Sequence, residues 1–395
     1  MPNATDTSSK LQEAMENLTA QWYNAVVAGC QVDSNTFQLV QGSQPLGSTS
    51  EVLWNIADAV PPLSVTNLFD PSQRNSFSID YGAVINNLVT PDISNFQNIL
   101  GDYYSAWVTY LAQVPDTDER SYYEIFKAWA GRHLPPGKVT AACTAYQQLS
   151  QGTVPVAVEM WTRADGGDDG LKAYNATIAM LQNALSAASS KSVHMDSGSE
   201  SSDTSRSWAK GNIGGSFDFF SASGSADYSN VATKLATSKL VIDASFERFV
   251  TFPLGPLSST SSDPILSGYK PWYSSAALNL AYQHNDNTVW NHNPPTWNDT
   301  FGPSGNMLRA ISALFVVDGI TITTTSDALL TTTEQQQFKT AAKAGFWPFF
   351  KASASGGWSN DQKFSDQGAL TSTSSSPIGN PVIFGATVTP IGDIL

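Results

Sequence analysis

The stretch Gly215-Ser-Phe-Asp-Phe-Phe-Ser-Ala-Ser-Gly-Ser-Ala-Asp-Tyr-Ser-Asn230 returns in a related form as Gly345-Phe-Trp-Pro-Phe-Phe-Lys-Ala-Ser-Ala-Ser-Gly-Gly-Trp-Ser-Asn360. At a constant offset of 130 positions, the two copies share eight identical residues without a gap. Tyr228 and Trp358 form a ninth, aromatic pair. A shared run of this length indicates an internal duplication. The C-terminal part of the chain is therefore interpreted around two related segments, 213–230 and 343–360.

Each copy combines bulky aromatic residues with a run of small ones. Ser221-Ala-Ser-Gly-Ser-Ala226 and Ala352-Ser-Ala-Ser355 alternate small polar and small apolar side chains, as a strand with one wet and one apolar face does. The aromatic side chains need burial or an apolar partner. The candidate membrane or subunit contacts are Phe217, Phe219, Phe220, Tyr228, Phe346, Trp347, Phe349, Phe350 and Trp358.

Three interpretations of the repeat remain open. The first is a pair of homologous hairpins in an ordinary β-domain, with the aromatic residues in its core. The second is regulated membrane insertion, because uncharged Ser/Gly/Ala hairpins with neighbouring aromatic residues match the composition of membrane-inserted strands. The third is self-assembly, in which strands at a sheet edge pair between subunits. Only the second and third require exposed strand edges or exposed aromatic residues.

The composition is typical of a chain that folds into a hydrophobic core but carries few charged residues. Hydrophobic residues make up 41% of the 395 residues, whereas 14% are charged, against roughly 25% in typical soluble domains. The net charge of −14, with no basic cluster, disfavours nucleic acid as a partner. Cys30 and Cys143 are too few for a disulfide scaffold or a cysteine zinc site. Two buried free thiols are expected, and a disulfide between them is the alternative.

Periodicity divides the chain into two parts. Apolar residues with helical spacing occur over residues 9–29 and again from Asp92 to residue 188, while residues 31–90 mix turns with short apolar runs. From Ser189 short β-favouring runs replace the helical spacing. These runs are Lys239–Ile242, Phe246–Phe252, Ala313–Val317, Ile320–Thr324 and Pro381–Phe384. The predicted fold is α+β, with an N-terminal helical bundle (residues 1–188) followed by a β-rich, sandwich-like region (residues 189–395) that contains the internal duplication.

Four local predictions are specific. A capping box over Ser9–Gln12 begins the first helix, and Gly29 closes it in a left-handed conformation. Residues 154–158 form an extended segment, and a long helix runs from about Gly170 to Ala188. The polar segment 197–207 is a mobile loop unless a partner orders it.

A turn ahead of a β-run carries a loose family resemblance. The turn is Gly302-Pro-Ser-Gly305, and it is followed by Arg309 and by Phe315-Val-Val317. Residues 190–395 resemble functionally unassigned microbial proteins that combine Gly-Phe-Phe/Ala-Ser-rich segments with a Gly-Pro-x-Gly turn. The resemblance implies one recurring module and implies no activity.

Sequence signals for catalysis are weaker than the signal for the internal duplication. His284, Asp286 and His292 share one Trp/Asn/Pro-rich loop, but the eight-residue spacing of the histidines matches no standard metal pattern. A hydrogen-bonded Asn-rich loop is the simpler interpretation, and these three residues are the catalytic candidates. No metal and no cofactor is predicted. The segment Gly268–Tyr273 suggests a platform for carbohydrate or lipid headgroups, or core aromatics.

The N-terminal sequence contains no basic region and no apolar run. No signal peptide is therefore predicted, and we expect a cytoplasmic location or release without a Sec signal peptide.

Together these patterns favour a non-enzymatic, self-associating protein of the pore-forming or membrane-interacting type that uses its duplicated hairpins. The predicted partners are further copies of the chain and a lipid membrane or carbohydrate, but not nucleic acid. One alternative is a structural or assembly protein that pairs through β edges. Another is a hydrolase or carbohydrate-acting enzyme with a site near His284–His292.

Overall fold

The computed structural model describes residues 4–39, 46–61, 76–115, 118, 120–164, 171–203, 226–305, 307, 309–342, 345–346, 350–351 and 357–395. Helices predominate in the first half of the chain and strands in the second, so the predicted α+β class is confirmed. The chain divides into two compact units. Unit 1 is drawn from Met1–Arg74, Ala176–Gly255 and Arg309–Thr389, and unit 2 from Asn75–Asn175, Pro256–Leu308 and Pro390–Leu395. The predicted boundary after residue 188 falls inside unit 1, at the start of a strand.

Fourteen helices occur in the described ranges. They are α1 Ala4–Cys30, α2 Ser50–Asp58, α3 Phe77–Asn86, α4 Ser94–Leu100, α5 Tyr103–Leu111, α6 Tyr122–His133, α7 Pro136–Ser150, α8 Thr153–Arg163, α9 Ile178–Ser186, α10 Ala226–Thr237, α11 Ser275–Gln283, α12 Trp297–Phe301, α13 Thr332–Ala342 and α14 Ile391–Ile394. Helical periodicity largely vanishes from the sequence after Ser189, so α10 to α14 were not predicted.

The strands of the described ranges are β1 Phe37–Leu39, β2 Ser189–Asp196, β3 Leu240–Pro253, β4 Arg309–Ser326, β5 Gly345–Phe346, β6 Phe350–Lys351, β7 Ser359–Phe364, β8 Leu370–Ser376 and β9 Val382–Pro390. Seven of them form one sheet with the order β1-β9-β4-β3-β2, and β8 lies between β4 and β7. Within this sheet, β1 and β9, β2 and β3, β3 and β4, β4 and β8, and β7 and β8 pair antiparallel. Strands β5 and β6 form a separate two-stranded hairpin. Helices α1, α10 and α13 contribute to the core against the large sheet, where the sequence suggested a second layer of strands.

The alternation of buried side chains breaks at one level of this sheet. The unit 1 core includes Leu240, Ile242, Ala244, Phe246 and Phe249 of β3, and Phe315, Val317, Ile320 and Ile322 of β4. The spacing is two residues except from Phe246 to Phe249 and from Val317 to Ile320. Strand side chains normally alternate between faces, so each three-residue step breaks the alternation, and because the β3–β4 register is continuous here, both strands break it together. This break explains why the alternation over 246–252 looked imperfect in the sequence.

The two breaks lie side by side. Phe246 pairs with Ile320, and Phe249 pairs with Val317. The neighbouring strand β2 shifts its register at the same level, where Ser189 is opposite Phe249 and Lys191 is opposite Phe246. We call this level, formed by residues 189–191, 246–249 and 317–320, the bulge line.

A buried carboxylate occupies the bulge line. The Asp318 side chain is only 3% exposed, and it accepts backbone N–H bonds from Gly319, Gly379 and Asn380 at 2.9–3.1 Å. Gly379 and Asn380 belong to the turn between β8 and β9, the two strands that share one side of β4. Arg248 of β3 supplies the positive charge, with Nη1 3.7 Å from Oδ2. A buried carboxylate is tolerated because hydrogen bonds replace its lost hydration.

Gly319 follows Asp318 and is required by geometry. Its φ of +65° lies in the left-handed region, and an added Cβ would lie 2.8 Å from Cβ of Glu247. Both constraints exclude a larger side chain at this point of the bulge line.

Replacing Asp318 by Asn should destabilise unit 1. An amide has only one acceptor oxygen, and its NH₂ group would face the N–H donors of the β8–β9 turn. We expect a loss of about 1–3 kcal/mol in the free energy of unfolding, measured by urea denaturation. The matched control is Asp361→Asn on β7, whose side chain is 65% exposed and which should change stability little. Equal effects of the two substitutions would contradict this role of Asp318.

Helix α1 lies against β2 rather than in a helical bundle. Gly29 permits this contact, because a Cβ there would lie 2.6 Å from the carbonyl oxygen of Ser192. The left-handed residue at the helix end is Gln31, with φ of 57°, and not Gly29. The helix also begins at Ala4, before the capping box predicted at Ser9.

Unit 2 has two aromatic cores. One lies among α4 to α7 and contains Phe96, Trp107, Phe126, Trp129 and Tyr146. The other surrounds the fully buried Trp272, whose ring contacts Phe77, Tyr81, Trp161, Tyr174 and Tyr273. The indole N–H of Trp272 donates to the Ala173 carbonyl at 2.7 Å, and the Tyr81 hydroxyl accepts from the Ser274 amide at 2.8 Å. These polar atoms are therefore satisfied inside the core.

Two predictions about residues 154–188 are wrong: the extended segment at 154–158 and the start of the following helix at Gly170. Residues 154–158 lie in helix α8. Pro155 is compatible with this helix because it lies in the first turn, where its missing N–H would have no partner within the helix. The second helix starts only at Ile178, where the Thr177 hydroxyl caps it by accepting from the Met180 amide. Ahead of it, Tyr174 forms an isolated antiparallel bridge with Pro256. The segment Asp165–Gly170 lies outside the described residues.

Candidate functional site

The two sequence copies lie in connections that leave the same end of the unit 1 sheet. At this end Asp196 of β2 pairs with Val241, and Ser326 of β4 pairs with both Leu240 and Leu370. Residues 197–239 join β2 to β3, and residues 327–358 join β4 to β7. The first copy and most of the second fall within these two connections. Hereafter they are called the first and second connection.

Each connection contributes one helix to the unit 1 core. Val231 and Leu235 of α10 are fully buried there, as is Phe338 of α13. The two helices are also joined by an ion pair, with Lys234 Nζ 2.6 Å from Glu334 Oε1. A hydrogen bond from Lys234 and others from Thr331 hold the pKa of Glu334 below its usual value. The described parts of the two connections are therefore neighbours.

The start of the first connection is held by α1. Nε2 of Gln21 donates to the carbonyls of Ser197 and Glu200 at 3.2 and 3.1 Å. Nδ2 of Asn24 donates to Ser201 at 2.7 Å and to the carbonyl of residue 203 at 2.9 Å. Within 197–203, contacts inside the protein thus provide the order that the sequence analysis assigned to a partner.

The two copies adopt different secondary structures where both are described. Residues 226–230 of the first copy lie in α10, whereas Ser359 and Asn360 of the second begin β7. Ser359 pairs with Ser375 across the sheet, and Asn360 Nδ2 donates to the Ala342 carbonyl at 2.9 Å. Tertiary context therefore decides the local structure of these matching sequences.

The candidate contact residues are only partly described. Tyr228 is 3% exposed, and Trp358 packs against the same unit 1 core. Phe346 pairs with Phe350 in the β5–β6 hairpin. The remaining candidates, Phe217, Phe219, Phe220, Trp347 and Phe349, lie outside the described residues. In this structure Tyr228 therefore serves as a core residue.

The loop histidines do not form a metal centre within the described residues. His284 caps the end of α11 and is exposed, and its carbonyl accepts the Trp290 indole N–H at 2.6 Å. Asp286 accepts hydrogen bonds from the hydroxyl and the amide of Thr288, and these bonds hold its pKa below the usual value. His292 is exposed. This geometry matches the hydrogen-bonded loop expected from the sequence.

Both cysteines are free thiols, as expected. Burial raises the pKa of Cys30 to about 12, and partial burial also raises the pKa of Cys143. A raised pKa removes the thiolate that a nucleophilic cysteine needs.

Unit 2 contains a cavity of about 840 Å³. Helix α8 contributes Glu159 and Arg163 to its wall, and the start of α6 contributes Ser121 and Tyr123. Parts of the segment 258–271, including Tyr269, also line it. The volume lies within the roughly 300–1,000 Å³ of small-molecule sites.

Glu159 and Arg163 are held in place at this cavity. Glu159 Oε1 accepts the Tyr122 amide at 3.0 Å and lies 3.2 Å from Arg163 Nε. The Arg163 guanidinium lies 4.7 Å from the centre of the Tyr122 ring, and its Nη1 donates to the Asp118 carbonyl at 2.7 Å. Burial raises the pKa of the Glu159 carboxyl, while the Tyr122 amide and Arg163 oppose this shift.

This cavity was not predicted from the sequence, for one local reason. Glu159 and Arg163 are four residues apart, a spacing that places two side chains on one face of a helix. Reading 154–158 as extended hid that relation. The aromatic segment 268–273 was noticed, but only Tyr269, Lys270 and Pro271 of it line the cavity, since Trp272 and Tyr273 are buried.

Glu159 should give stability a distinct pH dependence. Because its folded-state pKa is raised, it stabilises the fold fully below its ordinary pKa, and this contribution is lost as pH rises through the raised value. The stability difference between wild type and Glu159→Gln should therefore fall with rising pH, measured by urea denaturation between about pH 4 and 7.

Glu124→Gln provides the control with the opposite sign. Hydrogen bonds from Ser121 hold the pKa of Glu124 below its usual value. Its contribution is present above the ordinary pKa and is lost as pH falls through the lowered value. A difference that is flat or rising for Glu159→Gln over the same pH range would contradict the assignment.

Comparisons with known proteins supply no identity for either unit. No protein-family model, curated protein or solved structure matches the chain. Among the described residues, no helix combines the length and apolar character needed to cross a membrane.

Proposed function

We propose that the protein is a non-enzymatic, self-associating protein of the pore-forming or membrane-interacting type. Its two connections would leave the unit 1 core and pair as β-hairpins at lipid or between subunits. The observation that carries this proposal is topological. Two related, weakly charged segments lie in connections that begin at the same end of one antiparallel sheet, with helices α10 and α13 as neighbours.

The lengths and composition of the connections support this proposal. A membrane-spanning β-strand needs roughly 9–11 residues, so residues 197–239 and 327–358 can each supply two strands and a turn. Strands β3 and β4 already provide a paired template at the end where the first connection rejoins the sheet. The Ser/Gly/Ala runs provide alternation, and the aromatic residues provide side chains suited to a membrane interface.

Burial of apolar side chains opposes the release of helix α10 from the unit 1 core. Tyr228, Val231 and Leu235 lie in the unit 1 core, so withdrawing α10 exposes apolar surface to water unless lipid or another subunit covers it. The negative charge of the chain also opposes binding to anionic lipid. The proposal therefore specifies a neutral membrane as the first target and includes the predicted cytoplasmic location or release without a Sec signal peptide.

Assembly through strand edges is the second candidate. In the described part of the chain β7 pairs only with β8, which leaves its outer backbone groups for another strand. Its exposed Asp361 and Lys363 form an ion pair of 3.0 Å. Charged residues at an edge limit uncontrolled pairing, so they favour a specific partner strand. An enzyme centred on His284 and His292 has no comparable support.

The decisive test uses phosphatidylcholine vesicles that contain a trapped dye. We expect the wild-type protein to float with the vesicles, to form a larger species by light scattering and to release the dye. Phe219→Asp and Phe349→Asp change matching positions of the two copies, and each should abolish dye release, because a charge in the hydrocarbon region is strongly unfavourable.

The matched control is Ile265→Asp, which places the same charge on an exposed apolar residue of unit 2. This variant should release dye like the wild type. A large species without vesicles would instead support assembly. Protein that neither floats nor releases dye would contradict membrane interaction.

A further inference from the structure

The cavity of unit 2 presents hydroxyl groups that have no hydrogen-bond partner among the described residues. Ser258, Ser259 and Thr260 line it and are exposed, and their side chains make no hydrogen bond within the described part of the chain. Each hydroxyl can donate once and accept twice. Three consecutive residues therefore offer a row of donors and acceptors to whatever occupies the cavity.

Two of the three charged side chains that line the cavity compensate each other. Glu159 and Arg163 form an ion pair with each other, and Lys270 has its own interaction inside the protein. Glu159 Oε1 is used by Arg163 and by the Tyr122 amide, whereas Oε2 has no partner among the described residues. The pair thus leaves one oriented acceptor, and it leaves no uncompensated charge that would select an ionic ligand.

Two aromatic side chains complete the lining. Tyr123 and Tyr269 both border the cavity and are half-buried. Their rings provide apolar contact area with a polar end, a combination that suits a ligand with both hydroxyl groups and C–H faces. Sugar rings have this character, since each carries hydroxyls at its rim and C–H bonds on its faces.

We infer that this cavity binds a neutral saccharide, with Ser258, Ser259, Thr260 and Glu159 bonding its hydroxyls and Tyr123 and Tyr269 contacting its ring faces. This inference is independent of the proposed function. Unit 2 can bind a free sugar whether or not the connections of unit 1 act on lipid. A bound saccharide could be free or part of a lipid headgroup, because the same hydroxyls are presented in both cases.

The test measures binding of four neutral trisaccharides to the full-length protein: maltotriose, cellotriose, mannotriose and N,N′,N″-triacetylchitotriose. Saturation-transfer NMR detects contact, and calorimetry gives the affinity. We expect at least one of the four to bind. A glycolipid that carries the same glycan, in phosphatidylcholine nanodiscs, then distinguishes the source: equal affinity indicates free sugar, and tighter binding indicates a headgroup.

The variant Ser258→Ala/Ser259→Ala/Thr260→Val removes the hydroxyl row from exposed positions, so it should retain the wild-type melting temperature. Its affinity for the bound trisaccharide should fall by about tenfold or more, since several hydrogen bonds are lost. Ser105→Ala/Thr109→Val removes exposed hydroxyls from α5, away from the cavity lining, and should bind like the wild type.

Three results would overturn the inference. One is the absence of binding by all four trisaccharides. The second is unchanged affinity in the Ser258→Ala/Ser259→Ala/Thr260→Val variant. The third is saturable binding of inorganic phosphate that competes with the sugar, because it would show that an uncompensated positive charge selects the ligand. None of these measurements depends on vesicles, so failure here leaves the proposed function separately testable.

Discussion

The buried carboxylate of Asp318 organises unit 1. It accepts backbone hydrogen bonds from the turn between β8 and β9, at the level where those two strands share one side of β4. The same level carries the breaks in side-chain alternation of β3 and β4 and the register shift between β2 and β3. Because a buried carboxylate is stable only when its hydrogen bonds are made, this one contact fixes where the sheet departs from regular alternation. Beyond it, the strands run to the end from which both connections leave.

Local patterns predicted much of the fold but not the arrangement of its units. The α+β class and the β-favouring runs at 246–252 and 320–324 were readable, because strand composition is local. The chain's interleaving into two units was not, because it depends on contacts such as that of Gly29 with Ser192, which no short window contains. Helix α10 was hidden by a Ser/Gly-rich sequence whose matching residues in the second copy begin a strand, so propensity was overridden by tertiary context.

The candidate sites also differ in whether the sequence could predict them. The duplication was visible because it is a property of the sequence itself, whereas the common end of the sheet emerges only from the strand register. The cavity was invisible because its residues come from α6, α7, α8 and the segment 258–271. We therefore propose a separate role for each unit. Unit 1 carries the two connections that the proposed function would rearrange, and unit 2 contains the cavity to which we assign saccharide binding.

Hydrogen exchange of the vesicle-bound protein tests the central claim most directly. With phosphatidylcholine vesicles present, amides of α10 and α13 should lose their helical protection pattern, because both helices leave the unit 1 core. Amides of β3 and β4 should remain protected, because their mutual pairing and the Asp318 contacts persist. Unchanged exchange in α10 and α13 of vesicle-bound protein, or loss of protection in β3 and β4, would contradict the account.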